Sequence, residues 1–251
     1  MDRSPVDHIY RGDLLEVMRS MPGACVDLGF ADPPYNLEKG YGKYEDDLVD
    51  REYIGWCNEW LAEYVRLLKP TGSLFVVNLP KWCIHHAEFL SQHMHFRHWI
   101  AWDALPEPRG KIMPAHYGIL YYTKSAVEYT FNDDVCVYPP DFCFRAKCIK
   151  KRQGTWAHVL EPLSDIWWDI HRIKHRRDRD AHPCQLPVKL LERIITIASR
   201  PGDVVFDGFA GTGSTLIAAK RLGRRYVGIE IDPKYVEIAA KKLEEILPPA
   251  C

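Results

Sequence analysis

Short apolar runs alternate with longer segments of helical period along this chain. Residues 24–31 and 73–78 are predominantly apolar, which is typical of strands buried in a parallel sheet. Between them, residues 51–68 place apolar side chains at the spacing of one helix face. Because strands that alternate with helices of this length form parallel crossovers, the pattern predicts an α/β fold.

The rest of the chain repeats this alternation, apart from one segment. Residues 124–181 show no sustained period, so we predict a partly loop-like insertion within a single domain of residues 1–251. The other predicted elements are helices at 82–93, 186–199, 214–222 and 233–247, and strands at 98–102, 117–123, 204–206 and 226–231.

The composition adds an expected location and a candidate partner. No apolar run approaches the roughly 20 residues that cross a bilayer, so we expect no membrane segment and a cytoplasmic protein with its eight cysteines reduced. The net charge is −1, but residues 145–179 hold ten Lys or Arg against four acids. That local excess suits a phosphate backbone. The candidate contacts are Lys150, Lys151, Arg152, Arg172, Lys174, Arg176 and Arg177.

A glycine-rich turn at 207–215 lies between a predicted strand and a predicted helix. A phosphate-binding P-loop needs Lys where Ser214 stands, and the dinucleotide fingerprint needs a third glycine where Leu216 stands. Glu230 ends the next predicted strand, where a carboxylate is placed to accept hydrogen bonds from a ribose diol. The turn therefore predicts a ribose-bearing cofactor, and a tight strand-to-helix turn without a ligand is the alternative.

An Asp-Pro-Pro-Tyr motif at 32–35 follows directly on the strand at 24–31, at the edge of the sheet where ligands bind in open α/β folds. The exocyclic amino nitrogen of a base is a poor nucleophile because its lone pair is delocalised into the ring. Asp32 and the Pro33 carbonyl are acceptors that would favour a pyramidal nitrogen, and Tyr35 offers a ring for a flipped base. The alternative is an ordinary loop with a packed tyrosine.

With these motifs in this order, the chain resembles the beta class of DNA amino-methyltransferases, in which the catalytic motif precedes the cofactor motif. The resemblance implies a Rossmann-like fold with a circularly permuted motif order. Its sheet would be mostly parallel and seven-stranded, with an antiparallel final hairpin. It also implies S-adenosylmethionine as cofactor, double-stranded DNA as substrate, in-line methyl transfer, and a prokaryotic or phage origin.

Site residues follow from the same resemblance. The catalytic residues are Asp32, Pro33, Pro34 and Tyr35. Asp13 corresponds to a contact with the cofactor's adenine, and the segment at 182–187 runs into the cofactor pocket. The expected cofactor-binding residues are Asp13, Asp32, Gln185, Pro187, Asp207, Phe209, Ala210, Gly211, Gly213, Ser214, Thr215 and Glu230.

The motif also indicates the target base. Asp32 at its head is more typical of enzymes that methylate N6 of adenine, whereas cytosine-N4 enzymes commonly carry serine there. We therefore predict adenine-N6 methylation with base flipping, and cytosine-N4 methylation stays open as the alternative. Further alternatives are an inert DNA-binding protein of the same fold and an RNA or protein methyltransferase, whose motif tends to begin with asparagine.

The predicted insertion carries the remaining hypotheses. Residues 167–177 mix aromatic, histidine and basic side chains, as in a surface that meets nucleic acid, although the tryptophans could equally belong to the core. Cys136, Cys143 and Cys148 could hold a structural zinc, but none of their spacings is Cys-x2-Cys. Because the recognition surface of one chain looks small, a homodimer on DNA is a further hypothesis, as is a cognate restriction endonuclease.

Overall fold

The structure is a computed structural model that describes residues 6–37, 47–103, 115–133, 136–137, 161–170 and 186–246, with only the backbone at 136–137 and 161–162. Three groups of predicted residues lie outside this part of the chain. They are Gln185, the cysteines Cys143 and Cys148, and the seven basic residues Lys150, Lys151, Arg152, Arg172, Lys174, Arg176 and Arg177.

Eight of the ten described strands form one sheet, and the other two form a separate pair. The described strands are β1 (His8–Arg11), β2 (Val26–Ala31), β3 (Leu68–Asn78), β4 (His95–Asp103), β5 (His116–Thr123), β6 (Cys136–Val137), β7 (Glu161–Pro162), β8 (Ile166–Trp167), β9 (Val204–Asp207) and β10 (Arg225–Glu230). The sheet order is β1-β10-β9-β2-β3-β5-β4-β8, and β6 pairs separately with β7. Strands β1, β10, β9, β2 and β3 are parallel, and β5 runs antiparallel to both β3 and β4. The α/β fold with an antiparallel hairpin is therefore confirmed, and the two-residue β8 is an eighth strand at the edge.

Six described helices cover the two faces of the sheet. They are α1 (Leu14–Ser20), α2 (Asp50–Leu67), α3 (Pro80–Leu90), α4 (Val188–Ala198), α5 (Ser214–Arg221) and α6 (Pro233–Glu244). Buried residues form two clusters, one with α1, α2 and α3 and the other with α4, α5 and α6. Strand β3 contributes to both clusters, because its side chains alternate between the two faces of the sheet. Leu74 and Val76 belong to the first cluster, and Phe75 and Val77 belong to the second. None of the described helices is long and apolar enough to cross a membrane.

Some predicted boundaries are wrong by a few residues. Strand β3 begins at Leu68, five residues before the predicted strand at 73–78. Helix α3 begins at Pro80, because proline is favoured at the first helical position, where its missing N–H has no helical partner. Pro187 is the extended N-cap of α4 (ψ 130°) rather than part of its first turn.

Within the described part of the predicted insertion, Trp167 and Ile170 belong to the core, whereas residues 126–128 are exposed. Strand β8 pairs with β4, and Trp167 is 1% exposed with its indole N–H bonded to the Ser164 carbonyl at 2.8 Å. Trp102 in β4 donates to the Ile170 carbonyl at 2.7 Å, and Ile170 is buried as well. Of the two interpretations left open for the tryptophans, Trp167 follows the second, because its large apolar area is buried in the core against the sheet.

Candidate active site

Three adjacent strands bring the predicted motifs to one edge of the sheet. In the order β10-β9-β2, Gly228 is in register with Asp207, and Asp207 is in register with Phe30. Because the strands are parallel, their carboxyl ends meet at the same edge. The Asp-Pro-Pro-Tyr motif, the glycine turn and Glu230 consequently lie around one cavity.

The wall of this cavity contains most of the predicted site. Neither Pro187 nor Gly213 lines it, although Leu186, which precedes α4, and Leu191, in α4, do. The predicted residues in the wall are Asp13, Asp32, Pro33, Pro34, Tyr35, Asp207, Phe209, Ala210, Gly211, Ser214, Thr215 and Glu230. The wall also contains residues that were not predicted, among them Leu14, Trp56, Thr212, Ile231 and Tyr235.

Glu230 braces the glycine turn. Its carboxylate accepts hydrogen bonds from the backbone N–H of Gly211 at 2.9 Å and of Asp232 at 2.8 Å. Gly211 has a φ of +50° and Gly213 a φ of +83°, backbone angles that residues with a Cβ rarely adopt. A Cβ on Gly213 would also lie 2.8 Å from the Cβ of Ala239 in α6. Gly213 therefore shapes the turn and packs it on a helix, while Gly211 and Glu230 reach the cavity.

Two acids in the wall have raised pKa values. Burial raises the pKa of Asp207 to about 6, hydrogen bonds from Thr215 and the Phe209 N–H lower it, and the charge of Glu230 raises it. Burial also raises the pKa of Glu230, against the lowering effect of the backbone N–H groups of Asp232 and Gly211. The cavity thus concentrates acceptors for donor-rich or positively charged groups.

Asp13 has a structural task in addition to its place in the wall. Its carboxylate caps α1 by accepting from the N–H of Leu15 at 2.9 Å and of Glu16 at 3.1 Å. The predicted contact of Asp13 with an adenine ring stays a prediction.

Hydrogen bonds on two neighbouring carbonyls hold the Asp-Pro-Pro-Tyr loop. Tyr53 in α2 donates to the Pro34 carbonyl at 2.5 Å, and the indole N–H of Trp82 in α3 donates to the Tyr35 carbonyl at 2.8 Å. Among the described residues, no hydrogen bond reaches the Pro33 carbonyl. That carbonyl is therefore an available acceptor in the cavity wall.

Asp32 and Tyr35 are joined within the same loop. The Tyr35 hydroxyl donates to Asp32 Oδ1 at 2.5 Å, which orients the carboxylate. Tyr35 is only 5% exposed, and its ring lies 5.5 Å from the ring of Tyr117. Stacking of a flipped base on Tyr35 stays a prediction that would use the small face open to the cavity.

One residue that the sequence did not indicate joins the two loops. The hydroxyl of Tyr64 in α2 donates to the Phe30 carbonyl at 2.6 Å and accepts from the Gly208 N–H at 2.8 Å. Tyr64 therefore links the strand before Asp32 to the glycine turn. Its only signal in the sequence was its place on the apolar face of helix 51–68, which predicts burial but no partner.

The structure does not test the metal hypothesis. Within the described ranges, no three His, Cys, Asp or Glu side chains are grouped so that they could hold a metal ion. Cys143 and Cys148 lie outside those ranges, and only the backbone of Cys136 is described. The zinc site stays a prediction.

Comparison with known proteins shows the family of the chain. Residues 26–241 match the family model of the N6_N4_Mtase DNA methylases, and the chain belongs to that family. The chain is 38% identical to the type II methyltransferase M.BamHI of Bacillus amyloliquefaciens over 89% of its own length, but it spans only 54% of that relative. It is 31% identical to the DNA adenine methyltransferase YhdJ of Escherichia coli K12, covering 94% of this chain and 82% of YhdJ.

Solved structures extend the likeness. TTHA0409 from Thermus thermophilus, in complex with S-adenosyl-L-methionine, is 26% identical with a TM-score of 0.66, and the match covers 95% of each chain. The cytosine-N4-specific PvuII DNA methyltransferase is 19% identical with a TM-score of 0.69 over 96% of this chain and 87% of its own. At that identity, the second likeness concerns the fold alone.

Proposed function

We propose that the protein transfers a methyl group from S-adenosyl-L-methionine to N6 of adenine in duplex DNA. The single observation that carries the proposal is the shared cavity. The acceptors of the Asp-Pro-Pro-Tyr loop and the cofactor elements, the glycine turn and Glu230, line the same wall. A methyl donor and an acceptor nitrogen would therefore meet within one cavity.

The cofactor is S-adenosyl-L-methionine, and the donor and acceptor groups of the cavity fit it. The Glu230 carboxylate accepts from the Gly211 and Asp232 N–H groups and has further lone pairs. Those lone pairs suit the two hydroxyls of a ribose. Asp207 and Glu230 suit a ligand with ammonium and sulfonium charges. TTHA0409, which was solved with this cofactor, supports the assignment. When bound, the cofactor supplies an electrophilic methyl group.

The Asp-Pro-Pro-Tyr loop prepares the nucleophile. The Asp32 carboxylate and the Pro33 carbonyl accept hydrogen bonds from the two N–H bonds of the target amino group. This favours a pyramidal nitrogen with its lone pair free for in-line attack on the methyl carbon. Because Tyr35 donates to Asp32 Oδ1, the carboxylate is already oriented before the base arrives. Asp32 is also placed to take the proton that the amino group loses.

Adenine is the target that we favour over cytosine. Asp32 at the head of the motif and the similarity to YhdJ, which is named a DNA adenine methyltransferase, support this choice. The basic stretch of residues 145–179 is proposed to contact the DNA backbone. A homodimer and a cognate restriction endonuclease stay hypotheses, the second in keeping with the type II names of several relatives.

The test identifies the modified nucleoside. The protein is incubated with S-adenosyl-L-methionine and a duplex library of random sequence, and the digested nucleosides are measured by mass spectrometry. We expect N6-methyladenine with the wild type and with Asp50→Ala, which removes an exposed acid paired with Lys81, and none with Asp32→Ala.

The other outcomes are equally informative. N4-methylcytosine would keep the mechanism and refute adenine as the target. No methylated nucleoside, from protein shown by calorimetry to bind the cofactor, would refute DNA as the substrate. Parallel incubations with RNA and with protein would then show which of those alternatives applies.

A further inference from the structure

A chain of buried polar groups runs from α3 to the Asp-Pro-Pro-Tyr loop. The side-chain amide nitrogen of Asn78, at the end of β3, lies 3.0 Å from His86 Nε2 and 3.2 Å from the Tyr53 hydroxyl oxygen. The Tyr53 hydroxyl in turn donates to the Pro34 carbonyl. Asn78, His86 and Tyr53 are each no more than 1% exposed. Polar groups at this depth are costly unless they are paired, so the chain of bonds calls for a physical account.

Each hydrogen bond in this chain has only one possible direction. Asn78 Oδ1 accepts from the Leu79 N–H at 2.7 Å, so the Nδ2 group is the one that faces His86 and Tyr53. An amide NH2 only donates, and both of its partners must therefore accept. Burial, with a smaller effect of His85, lowers the pKa of His86 to about 3, which keeps its ring neutral and able to accept. Tyr53 then has its single proton left for the Pro34 carbonyl.

The Pro34 carbonyl restrains its neighbour in the loop. The ring of Pro34 locks its φ, so only the ψ of Pro34 separates the plane of the Pro34 carbonyl from that of the Pro33 carbonyl. Trp82 holds the following carbonyl, that of Tyr35. The carbonyls of Pro34 and Tyr35 are thus each held by a buried donor. The Pro33 carbonyl is the one that can face the target nitrogen.

We propose that Tyr53, oriented by Asn78 and His86, is a positioning residue for methyl transfer: by holding the Pro34 carbonyl, it aims the Pro33 carbonyl at the amino group. The proposal rests on the proposed function. Tyr53 is not among the residues of the cavity wall, so its effect passes through the loop. We expect cofactor binding to rest mainly on the glycine turn and Glu230, so it should change little when the Tyr53 hydroxyl is removed.

The first test is Tyr53→Phe, which removes the hydroxyl and keeps the ring that packs 4.6 Å from Trp82. Because a shift of about 1 Å in a reacting group costs up to about 100-fold in rate, we expect kcat to fall between about 10-fold and 100-fold. The Kd and KM for S-adenosyl-L-methionine should keep their wild-type values. A wild-type kcat, or a loss seen only in cofactor KM, would overturn the proposal.

Tyr122→Phe is the matched control. It also removes a buried tyrosine hydroxyl, which lies 2.9 Å from Ser91 Oγ and donates to the Ala87 carbonyl at 3.2 Å, away from the loop. We expect wild-type kcat. An equal fall of kcat in both variants would mean that Tyr53 acts only through general stability and would overturn the proposal.

Asn78→Asp tests the direction of the chain. An ionised carboxylate at position 78 cannot donate, so it would compete with the Pro34 carbonyl for the Tyr53 proton. We expect a fall in kcat as large as that of Tyr53→Phe, again with unchanged cofactor Kd, which also shows that the variant is folded. Wild-type kcat would overturn the role given to Asn78 and His86.

An NMR measurement separates this proposal from the proposed function. The indole N–H of Trp82 reports on the loop because it bonds to the Tyr35 carbonyl, and Trp82→Phe assigns its signal. We expect this signal to shift in Tyr53→Phe and to stay in place in Tyr122→Phe. If the wild type methylates no nucleic acid, the proposed function fails, but an unshifted Trp82 signal would still refute the positioning role and a shifted one would support it.

Discussion

Removal of the Tyr64 hydroxyl tests whether the Asp-Pro-Pro-Tyr loop and the glycine turn are coupled. Replacement by phenylalanine keeps the buried ring and removes one oxygen. That oxygen donates to the Phe30 carbonyl at the end of β2 and accepts from the Gly208 N–H in the glycine turn. The residue is fully buried, so water cannot take the place of the hydroxyl without a rearrangement of the core.

The expected loss follows from the two hydrogen bonds. Each contributes a net amount of about 1 kcal/mol, and a buried donor left without a partner costs about 1–3 kcal/mol. Since no other bond of the described residues satisfies the Gly208 N–H, we expect Tyr64→Phe to lower the free energy of unfolding by about 2–3 kcal/mol. Burial, chiefly, raises the pKa of Tyr64 well above its usual value, so the hydroxyl stays neutral and the loss should be the same from neutral to mildly alkaline pH.

The same change should weaken cofactor binding. The glycine turn loses its anchor to β2, and if half of the lost free energy is expressed in that turn, the Kd for S-adenosyl-L-methionine rises about 10-fold. Urea denaturation gives the free energy of unfolding, and titration calorimetry gives the Kd.

Tyr122→Phe again provides the comparison. It should lose a similar part of the free energy of unfolding while its cofactor Kd keeps the wild-type value. A loss below about 0.5 kcal/mol for Tyr64→Phe, or the same rise in Kd for both variants, would refute the coupling of the two loops through this hydroxyl.

Two further predictions concern the glycine turn and its buried acid. Gly213→Ala should lower the free energy of unfolding by about 2–3 kcal/mol, because its φ of +83° disfavours a Cβ that would also meet Ala239; equal melting temperatures for the variant and the wild type would contradict this. Asp207→Asn should stabilise the ligand-free protein at pH 7.5 by about 2–3 kcal/mol, since the pKa of Asp207 is raised by burial to about 6 from an unfolded value of about 3.9. Because its folded pKa is raised, the Asp207 carboxyl makes its full contribution to the free energy of unfolding below the unfolded pKa. That contribution is lost as pH rises through about 6. Denaturation at pH 4 and pH 7.5 should thus show the gain of Asp207→Asn only at the higher pH, and a gain independent of pH would contradict the reasoning.

Local patterns in the sequence were sufficient for the order of the elements and for the place of the main loops. The apolar runs at 24–31 and 204–206 became β2 and β9, and residues 226–231 correspond to β10. The carboxyl ends of parallel strands share an edge, so a motif directly after a strand is placed by topology alone. This is why the order of strands and motifs was enough to assign Asp32 and Gly211 to one cavity.

Two contacts could not be predicted from the sequence, for a physical reason. Gly213 belongs to the expected motif and also lies against Ala239, a contact that depends on how the glycine turn packs on α6. Trp167 stands in a basic, aromatic stretch whose tryptophans could lie at the surface or in the core, and its burial depends on β8 joining β4. A pattern reports how apolar a segment is, whereas pairing at a sheet edge depends on which strand is free to accept it.

The fold, the edge of the sheet that carries the chemistry, and the side chains that follow the strands there could all be predicted from the sequence. The contacts that hold those side chains in place came only from the packed structure: Tyr53 and Trp82 on the Asp-Pro-Pro-Tyr loop, and Tyr64 between that loop and the glycine turn. Helical period predicts that such residues are buried, because burial depends on one face of one element. The partner of a buried hydroxyl depends on how two elements pack, and that is fixed only when the whole chain has folded.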